Sequence, residues 1–360
     1  METKNSVEVL AERLEHDIRE RGLTSGQRYL IAKDASVLFD ENIITVHRAM
    51  KMLADRKVLV RQRRKGTFVG PDFQNKSGSP SPTISCMHVV MAMAYYQTSG
   101  MPANALIEGI KSVLPLIPIQ VHYLPSNDAL AYTKSVVEMI KARGTQEGLL
   151  LIHSSREMQE YVVSSGSLAA VFGCVYPGVT GLPWVDVDQE QSGELMAQYA
   201  LDAGHKKFAL LMRSDWRRGD NLLHSGITGC LGDAGLSMNS LVTLSVPVDI
   251  DIIASEIRDL LESPDAPTVI FCRGDYYADV VVDVAKSLGL KIGKDIEIIS
   301  GGHLREDCNK DYASIVPKLS NKQQVHVAVK KLCEIARGEK QEADHLIVPA
   351  MICNKNTSKQ

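Results

Sequence analysis

The sequence predicts an α/β protein in two parts: a small N-terminal domain of three helices closed by a β-ribbon, and a larger two-lobed body with doubly wound parallel sheets. Three observations carry this reading. A small-polar, proline-bearing break runs from Gly70 to Thr83 and can continue neither a helix nor a central strand. The chain before it shows three stretches of helical periodicity and then two short apolar runs around a basic turn. The chain after it alternates apolar strand-like runs with amphipathic helical ones, as parallel sheets require.

In the first part, Val7, Leu10, Leu14 and Ile18 share one helical face over Ser6 to Arg21, and Gly22 ends that helix. A second helix fits Ile31 to Leu38. Asn42 is a good N-cap for a third, Ile43 to Asp55, with Val46, Met50 and Leu53 inward. Val58–Arg61 and Thr67–Val69 read as strands flanking the turn. The order is that of a winged helix-turn-helix. The expected domain is 1–70, the linker 71–83 and the body 84–354.

In the body, strands are expected near Cys86–Ala92, Pro118–Tyr123, Gly148–Ile152, Ala169–Phe172, Lys207–Met212, Leu241–Val246, Thr268–Cys272 and Ile296–Ile299, with helices between them. So long a stretch exceeds one ordinary sheet domain. The expected lobes are 84–205 with 318–338, and 206–316 with 344–354.

Composition narrows the function classes. At 44% hydrophobic and 23% charged, the 360 residues suit a globular protein. No apolar run reaches the roughly 18–20 residues of a membrane span, and the first residues lack a secretory pattern, so a cytoplasmic location without membrane contact is expected. Residues 1–70 hold 14 Lys and Arg against 10 Asp and Glu, whereas the rest holds 26 against 33. A basic head on an acidic body fits one polyanion-binding module joined to a non-binding one. The seven cysteines stand singly, without a CxxC pair, and read as small core residues rather than disulfides or a metal site. No cofactor is expected.

A recognition helix needs polar residues on its outer face near the N-terminus. Asn42, Thr45, His47, Arg48 and Lys51 lie there. Arg61, Arg63, Arg64 and Lys65 cluster on the wing turn, within reach of phosphates. From Tyr29 to Val69 this stretch resembles the GntR family of bacterial regulators without a gap. The match falls on Leu30–Ser36, Asn42–Met50 and the wing signature Lys65–Val69, with Gly22 and Gly26 in the turn after the first helix. The resemblance implies operator DNA as partner, contacted by Lys33, Asn42, Thr45, His47, Arg48, Arg63, Arg64, Lys65 and Gly66. Family members usually carry arginine where Lys33 and Ile43 stand, and a small polar residue at Ile44, so the operator sequence should differ.

Most of 84–354 resembles the LacI-type effector domain, related to periplasmic sugar-binding proteins. Four segments carry it: Val185–Gly193 continuing into Leu201–Ala209, Gly226–Leu236, Pro267–Ala278 leading into Leu288–Ser300, and Tyr312–Lys318. A GntR head on such a body is the arrangement of arabinose-repressor-type proteins. The resemblance puts the lobe-crossing turn at Gly204 and His205, and implies a transcriptional regulator, expected to be a repressor and a homodimer.

In such folds a small molecule binds between the lobes, at the carboxyl ends of strands. Those ends give Tyr95, Tyr96, His153, Phe172, Asp215, Trp216, Asp275 and His303 as effector-binding candidates. Three polar positions of the relatives fall on Leu223, Gly274 and Gly302, so an ordinary free sugar is not the expected effector. Competing readings are a plain ligand-binding protein, a regulator with a degenerate cleft, and an α/β enzyme. The chain has no GxGxxG after a first strand, no GxxxxGK[ST] and no HExxH.

Overall fold

The N-terminal apolar stripe forms helix α1 (Ser6–Glu20), with Leu10, Leu14 and Ile18 fully buried. The computed structural model describes residues 6–62, 65–71, 73, 84–93, 95, 103–125, 128–301, 310–339 and 343–353. Arg63, Arg64, Tyr96, Gly302, His303 and most of the expected linker lie outside them. The chain divides into two units, Met1–Thr83 with Val113–Pro115, and Ile84–Ser112 with Leu116–Gln360.

In the first unit α1 is followed by β1 (Arg28–Tyr29), α2 (Ala32–Phe39), α3 (Ile43–Asp55), β2 (Leu59–Gln62) and β3 (Gly66–Val69). Asn42 caps α3, its side chain accepting from the Ile44 amide at 2.8 Å. Val46, Ala49, Met50 and Leu53 recur on the inner face of α3 and pack with α1 and α2 into one core. The strands form an antiparallel sheet in the order β1-β3-β2. β1 is absent from the sequence expectation because two residues display no period. The Tyr29 hydroxyl donates to Asp17 at 2.8 Å, and Arg21 donates to the same oxygen at 2.7 Å, tying the sheet to α1.

The second unit continues with β4 (Met87–Ala92), α4 (Ala103–Val113), β5 (Ile119–Leu124), α5 (Ala129–Arg143), β6 (Gly148–Ile152), α6 (Arg156–Ser164), β7 (Ala169–Phe172) and β8 (Trp184–Val187). Next come α7 (Gln189–Asp202), β9 (Phe208–Arg213), α8 (Arg218–Asp233), β10 (Leu241–Val246), α9 (Ile250–Glu262), β11 (Val269–Cys272) and α10 (Asp275–Ser287). The last elements are β12 (Glu297–Ser300), β13 (Ala313–Pro317), α11 (Asn321–Ala336), β14 (His345–Val348) and β15 (Ala350–Cys353).

Two six-stranded sheets result, β14-β8-β7-β6-β4-β5 and β10-β9-β11-β12-β13-β15, parallel throughout except for β15 against β13. The inner strands of each are buried on both faces, which is why they read as continuous apolar runs, while the edge strands β5, β10 and β14 keep exposed positions. Within β9, Ala209 and Leu211 enter one core with α9 and α10, while Phe208, Leu210 and Met212 enter another with α7 and α8. Phe208 stacks on Phe271 across the second core at 5.8 Å. α7 and α8 approach so closely that a Cβ on Gly193 would sit 2.2 Å from the Leu223 carbonyl, and one on Gly226 2.1 Å from that of Glu190.

The lobe boundaries depart from expectation. α7 carries Met196, Ala197 and Ala200 into the core of the second lobe, so the crossing falls at Asp188 rather than at Gly204 and His205. β14 joins the first sheet, so residues 344–354 do not all lie in the second lobe. Amphipathic spacing shows that a helix packs, not on which sheet. β8, β13, β14 and β15 are not among the strands expected from the sequence. The chain crosses between the lobes at Asp188, Lys318 and Pro349. There the Asp188 amide donates to Val348 at 2.8 Å and the Lys318 amide to Pro349 at 2.9 Å.

Among the described cysteines Cys86, Cys174, Cys230, Cys272 and Cys333 are not in disulfides, but Cys353 is disulfide-bonded. This corrects the expectation of unpaired core cysteines. β15 returns from the other lobe to a sheet edge, a proximity that spacing along the chain does not report.

Candidate functional site

The carboxyl ends of both sheets supply one polar cluster between the lobes. From the first lobe, Tyr95 follows β4, His153 follows β6, Phe172 ends β7, and Asp186 lies near the end of β8. Tyr95 and His153 rings pack at 4.2 Å, and His153 meets Phe172 edge-on at 6.4 Å, so three expected residues come together. His153 has φ +47°, an uncommon conformation for a side chain of its size and one that recurs at ligand sites. Burial pushes the Tyr95 hydroxyl far up, against the pull of Arg213 and Arg273, which keeps it a neutral donor.

From the second lobe, Arg213 ends β9, Asp220 lies in the first turn of α8, and Arg273 follows β11. Arg213 donates to Asp220 through Nε at 2.9 Å and Nη2 at 3.0 Å, Arg273 through Nε at 2.5 Å, and the Arg217 amide at 2.6 Å. Asp220 is fully buried. Burial alone would raise its carboxyl, but Arg273 and Arg213 outweigh that and hold it well below the carboxylate range. Two guanidinium groups thus share one carboxylate in the floor of the cleft.

Asp186 completes the floor. Its Oδ1 accepts from Gln189 at 3.1 Å and from the Val187 amide at 2.8 Å, and its Oδ2 from the Cys174 thiol at 2.7 Å. Burial raises its carboxyl despite those bonds. Burial and then Asp186 push the Cys174 thiol far up, so it is a donor and not a nucleophile. The Tyr176 hydroxyl accepts from the Arg218 amide at 3.3 Å, a contact from the first lobe to the second.

The remaining expected residues are dispersed. Asp275 is buried at the start of α10 and accepts from Ser300 at 2.6 Å. Asp215 is exposed and paired with Arg217 at 3.0 Å. Trp216 donates to Ser245 at 3.0 Å and packs beside His224, both on its own lobe. Leu223 is fully buried in the core of that lobe, so it is packing and not a hook. Tyr96 and His303 lie outside the described residues. Sequence reasoning missed Arg213, Asp220 and Arg273. The available signal was an arginine at the carboxyl end of two otherwise apolar runs.

In the N-terminal unit Lys33, Asn42, His47, Arg48 and Lys65 are exposed, and Thr45 and Gly66 are partly so. Asn42 is occupied as the helix cap, and His47 Nδ1 lies 3.2 Å from Arg61 Nη2, coupling α3 to β2. Arg48 and Lys51 line one shallow groove with Val7, Met52, Asp55 and Arg56. Ile43 and Ile44 are exposed apolar residues at the head of α3.

The body has the two-lobed, periplasmic-binding-protein-like fold of LacI-type regulators. Residues 133–305 match the family described as periplasmic binding proteins and sugar binding domain of LacI family. The HTH-type transcriptional repressor PurR of Erwinia tasmaniensis is 24% identical over 115 residues, 32% of this chain and 34% of that protein. The chain thus spans about a third of the length of the curated relatives it matches. The transcription regulator CcpA of Lactococcus lactis aligns with TM-score 0.62 and 16% identity over 75% of this chain and 97% of that one. The transcriptional regulator CelR in a cellobiose complex aligns with TM-score 0.63 and 15% identity, covering 97% of this chain and 98% of that one. These similarities point to LacI-type regulators, and the GntR likeness of 29–69 rests on its own residues. No helix among the described residues is long and apolar enough to cross a membrane.

Proposed function

We infer that the protein is a transcriptional repressor of the cytoplasm, a homodimer whose GntR-like winged head (1–70) binds operator DNA. A linker (71–83) joins it to a body (84–354) that holds a small-molecule effector between its lobes. The observation that carries this is the pairing of an exposed polar face on α3 with a LacI-type body whose strand ends face one another around Arg213, Asp220 and Arg273. Thr45, His47 and Arg48 read bases, and Lys33, Lys65 and the wing arginines Arg63 and Arg64 hold phosphates. The effector carries an anionic or electron-rich group toward Arg213 and Arg273, with Tyr95, His153 and Phe172 along its other side. Ligand closes the lobes and changes operator affinity by its differential affinity for the two states.

The test is selection of duplex DNA by the full chain, followed by salt titration. One sequence class should be enriched. The log–log slope should drop by about 0.9 for each phosphate contact removed, as in Lys65→Ala. Thr45→Ala or His47→Ala should change base preference instead. Failure to enrich any sequence, or a salt-independent affinity, rejects the reading.

A further inference from the structure

Cys86, His88 and Glu147 are all buried, and one ligand atom from each lies within 4.8 Å of the others. They stand at the amino ends of β4 and β6, the opposite end of the sheet from the cleft. Strand register makes them converge. Cys86 and His88 are two apart in the chain entering β4, and Met87 pairs with Gly148, so Glu147 falls on the same face. His88 pairs with Gln120 of β5, which puts His122 on that face as well. His88 Nε2 is 2.5 Å from Glu147 Oε2, and His88 Nδ1 is 2.9 Å from His122 Nε2. Thr145 donates to Glu147 Oε1 at 2.7 Å, and Arg143 lies 3.3 Å from Oε2.

We propose that Cys86, His88 and Glu147 form a three-ligand site for a zinc-class divalent cation, with His122 orienting His88. One sulfur, one imidazole nitrogen and one carboxylate oxygen are the donors a borderline cation takes, at about 2.0–2.3 Å in a tetrahedron. Such a tetrahedron sets its ligand atoms about 3.3–3.6 Å apart, so His88 Nε2 and Glu147 Oε2 must part from their 2.5 Å contact to admit the ion. The ion displaces the proton between His88 Nε2 and Glu147 Oε2, which passes through water to His122 Nδ1, while His122 Nε2 hands its own proton to His88 Nδ1. His88 then carries its proton on Nδ1 and donates it to His122 Nε2, the second interaction that metal-bound histidines usually make. Cys86 binds as thiolate, releasing its thiol proton to water, and a water molecule takes the fourth position. Arg143 is 40% exposed at its side chain, so it is free to turn outward as Oε2 accepts the ion. Thr145 keeps its hold on Oε1 and fixes the carboxylate.

Cobalt(II) added to the reduced, chelator-stripped full chain tests this. One equivalent should bring a thiolate-to-cobalt charge-transfer band and the intense visible bands of a four-coordinate ion. Cys86→Ser should abolish the charge-transfer band, and His122→Gln should weaken binding by about 10–100-fold. Circular dichroism establishes that each variant is folded. A folded parent chain with no charge-transfer band at millimolar cobalt overturns the proposal. So does a band that survives in Cys86→Ser.

Discussion

Asp220 is the side chain whose loss should be felt most in the body. Its carboxylate is fully buried and takes bonds from Arg213, Arg273 and the Arg217 amide, while the two guanidinium groups are only 13% and 5% exposed. Asp220→Ala removes the carboxylate that both cations share and leaves them in a poorly solvated site with only the more distant Asp215 and Asp186 to offset them. Breaking a buried pair from one side costs about 3–5 kcal/mol, because what remains is an uncompensated charge. For a lobe of this size the loss corresponds to a fall of about 10 °C in its melting midpoint. Differential scanning calorimetry of the full chain reads it. Adding Arg273→Met should recover part of the loss, since one stranded cation goes with it.

The pH dependence has a defined sign. Asp220 has a folded-state pKa below its unfolded value, so its contribution is fully present above the usual aspartate value of about 3.9 and is lost as the pH falls below it. The parent should therefore lose stability in acid more steeply than Asp220→Ala, and the two should differ by a constant amount between pH 5 and 8, to within about 0.5 kcal/mol. An Asp220→Ala variant within about 1 kcal/mol of the parent at pH 7 would show that the arginines find other partners, and the reading of the cleft floor would fall with it.

Two further outcomes follow from local geometry. Gly226→Ala places a methyl group against the Glu190 backbone, which cannot rotate away, so the α7–α8 pair should separate at a cost of about 1–3 kcal/mol or more, measured by urea unfolding. Asn42→Ala should destabilise the N-terminal unit by about 1 kcal/mol through loss of the bond to the Ile44 amide, seen by calorimetry as a lower midpoint for the transition of that unit.

Much of the fold was legible because strands buried on two faces, such as Leu149 to Ile152 or Phe208 to Met212, must be apolar throughout. The α3 cap was legible because an asparagine before a periodic run has one common use. The centre of the cleft was not. An arginine directly after a strand reads as the solvated start of a loop, and nothing local says that Arg213 and Arg273, far apart in the chain, share Asp220. The Cys86 cluster was hidden for the same reason. Metal-ligand spacing is legible only within a short stretch of chain, whereas His88 and Glu147 are brought together by β4–β6 pairing. Trp216 was overvalued, because an aromatic residue at a strand end is equally well used in packing against its own lobe.

The three crossings between the lobes limit how those lobes can move. A single tether leaves two bodies free to bend in any direction and to spin about their join. Three strands side by side, cross-linked through the Asp188 and Lys318 amides and again by the bond from the Ala350 amide to Gln191 at 2.7 Å, behave as a flat strap. A strap flexes across its width but resists twist and sideways shear. The strap thereby favours one relative motion of the two halves of the body, a change of angle, over all others.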